Sequence, residues 1–161
     1  MKIISVLLVF TGFILGGCCD ENFMNPDYDF RAFAIDVTLR KFDGCPNIPE
    51  FTTENATPDG EAPYCSSNPV NNRWFKFLQS TDTYVAVEVK SVSIGGTQQA
   101  TIVTFWDTDG KTPLACMQGY GLDVDVYVSP GNLIEGEWYY ISVDVAEPQY
   151  AGTFDICVFT D

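Results

Sequence analysis

Two acidic doublets, Asp107-x-Asp109 and Asp123-x-Asp125, are the densest sources of oxygen ligands in the chain. Calcium takes several carboxylate and carbonyl oxygens, so the two segments can form a Ca2+ site if the fold brings them together. Asp107-Thr108-Asp109-Gly110 resembles the opening of a calcium loop, but the rest of an EF-hand pattern is missing. Otherwise these acids are a solvated turn and the outward side of a strand. A second set is aromatic. Trp74 and Trp138 stand out of phase with the apolar residues of their segments, and Tyr127 and Tyr140 follow the same logic. Such rings, like Trp106, either stack on the C–H faces of sugars or lie buried under a loop. The chain has no histidine. That removes the usual general base, the Ser-His and Cys-His nucleophile pairs, and the common zinc ligand. With 22 acidic residues, carboxylate pairs suited to glycoside hydrolysis arise by chance.

The elements that must position these residues alternate with period two. Asn71-Asn72-Arg73-Trp74-Phe75-Lys76-Phe77 sets the rhythm: Phe75 and Phe77 face one way, Trp74 and Lys76 the other. Phe33, Ile35, Val37 and Leu39 alternate before it, and Phe51 to Thr57 offers a short strand. After it come Val85, Val87 and Val89, then Val92 and Ile94 with a change of phase that predicts a bulge near Ser91. Thr101 to Trp106, Leu114 to Met117, Val124 to Val128, Tyr139 to Val145 and Phe154 to Val158 continue the pattern. Pro58-Asp59-Gly60, Gly95-Gly96, Asp107 to Gly110 and Ser129 to Asn132 punctuate it as turns. About eight or nine strands follow, with no crossover helix to join parallel ones. The expectation is all-β: a single antiparallel sandwich of jelly-roll or Greek-key kind.

The chain has 161 residues, enough for one domain with a real core, and a formal net charge of −14. That charge repels phosphate backbones and anionic lipid, which sets nucleic acid aside as a partner. Met1-Lys2 and the apolar run from Ile3 to Leu15 have the length of a signal-peptide core and fall short of a membrane span. Leu15-Gly16-Gly17-Cys18 resembles a bacterial lipobox, which implies cleavage before Cys18 and a diacylglycerol anchor on its thiol. Cys19-Asp20-Glu21 resembles the surface-export signal of Bacteroidetes lipoproteins. The reading is a leader over 1–17, an acidic tether over 18–29 and a β-sandwich over 30–161. The destination is the outer membrane surface or the medium.

Cys45, Cys65, Cys116 and Cys157 remain, an even number in an exported β domain, and signal a disulfide framework. Three pairings are open. Cys45 with Cys65 and Cys116 with Cys157 is favoured, the first tying a long loop to the early strand. Cys-x-x-Cys spacing is absent, which argues against a metal role.

Several segments come in a familiar order. They are Ala34 to Thr38, Cys45, Thr52 to Thr57, Ala62-Pro63-Tyr64-Cys65, Arg73 to Phe77, Leu114-Ala115-Cys116, Gly136 to Val143 and Gly152 to Val158. Together they resemble a β-sandwich domain of secreted Bacteroidetes proteins, similar to the bacterial pre-peptidase C-terminal (PPC) domain and to carbohydrate-binding-module jelly rolls. The resemblance spans Phe30 to Asp161 and implies a non-catalytic accessory module, in some cases calcium-stabilised and matrix- or glycan-binding. An early Asn-Asp-x-Cys and a second cysteine before Cys116, usual in that pattern, are missing. The expected function is a lipid-anchored surface module that binds a glycan or an extracellular protein. The alternatives are a structural subunit that self-associates through its edge strands and, last, a carboxylate hydrolase.

Overall fold

The computed structural model describes residues 29–80, 84–119, 121 and 123–160. The leader, the lipobox cysteine Cys18 and all of the tether but Asp29 lie outside them. Among the described residues the regular structure is β-strand with short 3-10 turns, in ten strands. They are β1 (Ile35–Asp36), β2 (Leu39–Lys41), β3 (Phe51–Thr52), β4 (Arg73–Leu78) and β5 (Val85–Lys90), then β6 (Thr101–Trp106), β7 (Pro113–Gln118), β8 (Val126–Val128), β9 (Trp138–Val145) and β10 (Thr153–Thr160).

Two sheets form. The first has the order β1-β4-β9-β6-β7 and the second β2-β10-β5-β8, with β3 on β10 as well. The all-β sandwich expected from the alternation is present. Two pairings are parallel rather than antiparallel: β1 on β4 and β2 on β10. The cause lies in the early segment. Ile35, Val37 and Leu39 all pack on the core, as their alternation requires. The backbone nevertheless crosses from one sheet to the other between Asp36 and Leu39, so one apolar stripe serves two short strands. The phase change after Val89 is a 3-10 turn over Val92–Ile94, closed by Gly95 at φ 85°, and not a bulge. The irregularity of register lies instead between Phe105 and Trp106, where β6 meets β7.

The core fills the space between the sheets. Phe75, Phe77, Val103, Phe105, Ile141 and Val143 from the first meet Val85, Val87, Val126, Phe154 and Val158 from the second. Edge-on ring contacts knit it: Phe77 to Phe105 at 5.5 Å, Phe51 to Phe75 at 5.0 Å.

One end of the sandwich is closed by charge. Arg73 and Asp29 are both fully buried, with Nη1 2.6 Å from Oδ1. Arg73 Nε donates to the Thr52 carbonyl and Nη2 to that of Glu54. Asp29 in turn accepts the N–H and hydroxyl of Thr57. Asp29, placed by sequence at the end of the tether, is therefore part of the folded domain.

Both disulfides differ from the favoured pairing. Cys45 bonds Cys157 and Cys65 bonds Cys116, across 112 and 51 residues of sequence. Each pins a loop to the outer face of a sheet, and together they suit an oxidising compartment outside the cytosol.

Truncating one member of a buried ion pair strands the other charge. Arg73→Met and Asp29→Leu should each lower unfolding stability by about 3–5 kcal/mol. The double variant should recover part of that loss. Urea titration of the four species checks it; simple additivity would show the two groups to be uncoupled.

Candidate functional site

The outer faces of the two sheets decide where a ligand can sit. On the first sheet the outward side chains are Trp74, Lys76 and Leu78 of β4, Trp138, Tyr140, Ser142 and Asp144 of β9, and Thr104 and Trp106 of β6, as the register requires. The loop over residues 53–72 and the segment over 29–34 lie on one half of that face. Trp74 is fully buried there, its ring centroid 5.6 Å from that of Trp106. Ala34 and Tyr140 pack on the pair. The Arg31 guanidinium lies 5.9 Å above the Trp74 ring, and its Nη1 donates to the Gly110 carbonyl. Gly60, at φ 90°, rides so close that a Cβ would stand 2.6 Å from Trp74 Cζ2.

Asp144 fastens this cover. Its carboxylate accepts the N–H groups of Val70, Asn71 and Val145. The Cys65–Cys116 bridge fastens the same loop to β7, and Tyr64 Oη accepts the Cys116 N–H at that edge. Trp74 is thus no ligand platform. Neither is Trp106, which is buried and donates Nε1–H to Ser142 Oγ. Tyr140 is half-buried beside them. Exposure rises along β9 away from the cover, from Asp144 at 6% to Trp138 at 40%.

The four aspartates do not converge. Asp107 accepts Thr108 N–H, and Asp109 accepts Lys111 N–H, Thr112 N–H and the Thr112 hydroxyl. The backbone bonds from Thr112 and Lys111 hold the Asp109 carboxyl below its ordinary value. Asp123 accepts from Gln99 Nε2, and Asp125 from Ser93 and Ser91. Gln99 precedes β6 and Asp107 follows it, so a six-residue strand of about 17–20 Å separates the doublets. Among the described residues no group of three or more His, Cys, Asp or Glu side chains is arranged to hold a metal ion. The four aspartates are not brought together: Asp107 and Asp109 close the turn that follows β6, whereas Asp123 and Asp125 are tied to Gln99, Ser91 and Ser93 ahead of it.

The second sheet's outer face carries a row of rings. Phe42 follows β2, Phe159 lies on β10, Tyr127 on β8, and Tyr84 just precedes β5. Ring centroids are 4.8 Å apart for Phe42 and Phe159, and 5.9 Å for Phe159 and Tyr127. The Tyr127 and Tyr84 hydroxyls are 2.8 Å apart. Strand β5 runs between β10 and β8, yet Phe159 and Tyr127 lean together across it. They can do so because β5 presents Ala86 opposite Phe159 in register. Phe42 is 58% exposed, Tyr127 45% and Tyr84 43%, over a buried Phe159. Glu88, opposite Tyr127 in register, pairs with Lys90 at 3.1 Å. Sequence reasoning found Tyr127 and missed its neighbours. Phe42 falls just outside a regular strand, where alternation assigns no face, whereas Tyr84 opens the alternating segment whose Val85, Val87 and Val89 face the other way. Phe159 carries an outward-phase signal as legible as that of Tyr127.

A cavity of about 180 Å³ opens on the other side of β10, where its partner changes from β3 to β2. Asp36, Arg40, Glu50 and Asp155 contribute its polar lining. Asp155 is 3% exposed, and burial, with a smaller push from the Glu50 charge, raises its carboxyl above the ordinary value.

No family model matches the chain, so the likeness to the pre-peptidase C-terminal domain rests on the residue segments alone. None of the curated proteins matches it either. Among solved structures it is similar to part of a Podospora anserina GH26-CBM35 β-(1,4)-mannanase, at 14% identity and a TM-score of 0.33. The overlap covers 72% of this chain and 28% of that one. A likeness of that extent decides neither activity nor ligand.

Asp155 and Asp144 are both held above the ordinary aspartate value, in each case chiefly by burial. Between the unfolded and folded values the native state binds more protons, so stability falls as pH rises through that window and returns on acidification. Asp155→Asn removes one such charge. It should be at least as stable as the parent at neutral pH, and the advantage should vanish as pH falls below the unfolded value. Urea midpoints across pH check this; an advantage that grows on acidification contradicts it.

Proposed function

We propose that this protein is an exported, non-catalytic binding module whose ligand is an uncharged glycan held on the outer face of the second sheet. One observation carries the reading: Phe42, Tyr127 and Tyr84 stand exposed in a connected row over Phe159. Exposed rings in contact are a costly surface unless something covers them. Phenols offer an apolar face together with a hydrogen-bonding tip, which suits a sugar's C–H face and its hydroxyls. The Glu88–Lys90 pair beside the row adds a donor and an acceptor. The net charge of −14 disfavours uronic or sulfated chains and nucleic acid.

The edge strands support a binding module over a self-assembling subunit. Strands β1, β2 and β8 are two to three residues long. The longer β7 begins at Pro113, which has no N–H to offer, and its Cys116 N–H is already taken by Tyr64. Short and capped edges oppose strand-to-strand addition.

Anchorage belongs to the same reading: the lipobox-like Leu15-Gly16-Gly17-Cys18 would leave the domain on a short tether at a membrane surface. Cys18→Ala should shift the protein from the membrane pellet to the soluble fraction and abolish labelling by a palmitate analogue. Unchanged fractionation would dismiss the anchor.

Tyr84→Ala combined with Tyr127→Ala should weaken retention on neutral polysaccharide gels by on the order of tenfold or more, roughly 1.4 kcal/mol per tenfold. Affinity electrophoresis against neutral and acidic polysaccharides makes the comparison, with circular dichroism confirming the fold. Preference for an acidic chain, or retention indifferent to both substitutions, would defeat the proposal.

A further inference from the structure

The surface left uncovered on the first sheet repeats the chemistry of the second. Trp138 of β9 is 40% exposed, and Leu78, its partner in register on β4, is 41% exposed. Lys76 Nζ lies 5.2 Å from the Trp138 ring centroid and 3.1 Å from Asp36 Oδ1. Asp36, Lys76 and Tyr140 are register partners on three adjacent strands. An aromatic ring therefore stands beside a lysine–carboxylate pair, as Tyr127 stands beside Glu88 and Lys90. The covering loop hides Trp74, Trp106 and Ser142 and stops short of Trp138.

We infer that Trp138, with Lys76 and Asp36, is a second glycan-binding site, so that one domain bridges two uncharged polysaccharide chains. The inference rests on the glycan reading of the second sheet. The two surfaces point away from each other. Stacked sheets lie roughly 10 Å apart, and their outward side chains diverge. A chain lying flat on one face therefore cannot also lie on the other. The occupant is a glycan rather than a second copy of this protein, because two copies of a chain of net charge −14 repel. It is uncharged for the same reason, and because Lys76 already has Asp36 to neutralise it. A binder with two such sites cross-links long chains, and avidity then exceeds the affinity of either site.

The test uses the full mature chain, soluble β-glucan, mannan and xylan, and short oligosaccharides cut from whichever binds. Calorimetry should give about two oligosaccharides per domain, and light scattering should show aggregation of the long polymer. Trp138→Ala should bring the stoichiometry to about one and remove the scattering while gel retention persists; Trp138→Phe should restore both in part. The Tyr84→Ala, Tyr127→Ala variant should likewise keep one site, at Trp138, the weakening of its gel retention being the avidity lost with the other site. A single site lost in the tyrosine variant and indifferent to Trp138→Ala overturns bridging and leaves the glycan reading standing. No binding of the parent to any of the three polymers overturns both.

Discussion

The buried pairing of Arg73 with Asp29 is the constraint on which the rest of this domain turns. Arg73 opens β4, the aromatic strand between β1 and β9, yet its guanidinium points into the end of the sandwich and not into solvent. A charge in that position needs a carboxylate and backbone carbonyls around it. Asp29, Thr52 and Glu54 provide them. Meeting that need draws the first described residue and the start of the long loop to one point. From there the loop lies across the outer face of the first sheet, where Asp144 and the Cys65–Cys116 bridge hold it.

This asymmetry explains which surfaces are free. The loop converts Trp74 and Trp106 from outward side chains into a small second core. It leaves Trp138 uncovered at the far end of β9. Among the described residues no such cover lies over the second sheet's row of rings, where Phe42, Tyr127 and Tyr84 stay exposed. The bridge from Cys45 to Cys157 instead sits beside that row, against Ala86 and Phe159. The proposed ligand surface is thus what remains once the loops have been placed. In the chain-entropy model, closing loops of 51 and 112 residues stabilises by about 4 and about 5 kcal/mol. The Cys65–Cys116 bridge also limits how far the cover can move.

Charge then sets what an open aromatic surface can meet. The acidic surface keeps copies apart and turns anions away. The lysines beside the exposed rings are already matched by Glu88 and Asp36. What is left for recognition is ring faces, hydroxyls and paired charges, a set that suits an uncharged polyhydroxylated ligand.

Period-two alternation is a local property, readable because each strand must turn its apolar side inward. It located β4, β6, β9 and β10 within a residue or two, and it assigned Phe75, Ile141, Phe154 and Val158 to the core. The same alternation marked Trp74, Trp138 and Tyr127 as facing out. It could not tell covered from open, because that depends on where a loop distant in sequence comes to rest. Trp74 and Trp138 carry the same signal and meet opposite fates. The cysteine partners, the separation of the two aspartate doublets along β6 and the meeting of Phe42, Phe159, Tyr127 and Tyr84 are of the same kind. Each is a matter of which strands lie side by side, which is settled by the shared core and by buried polar groups seeking partners. Which way a residue within a strand faces was legible in the sequence alone; what lies over it was decided by the tertiary structure.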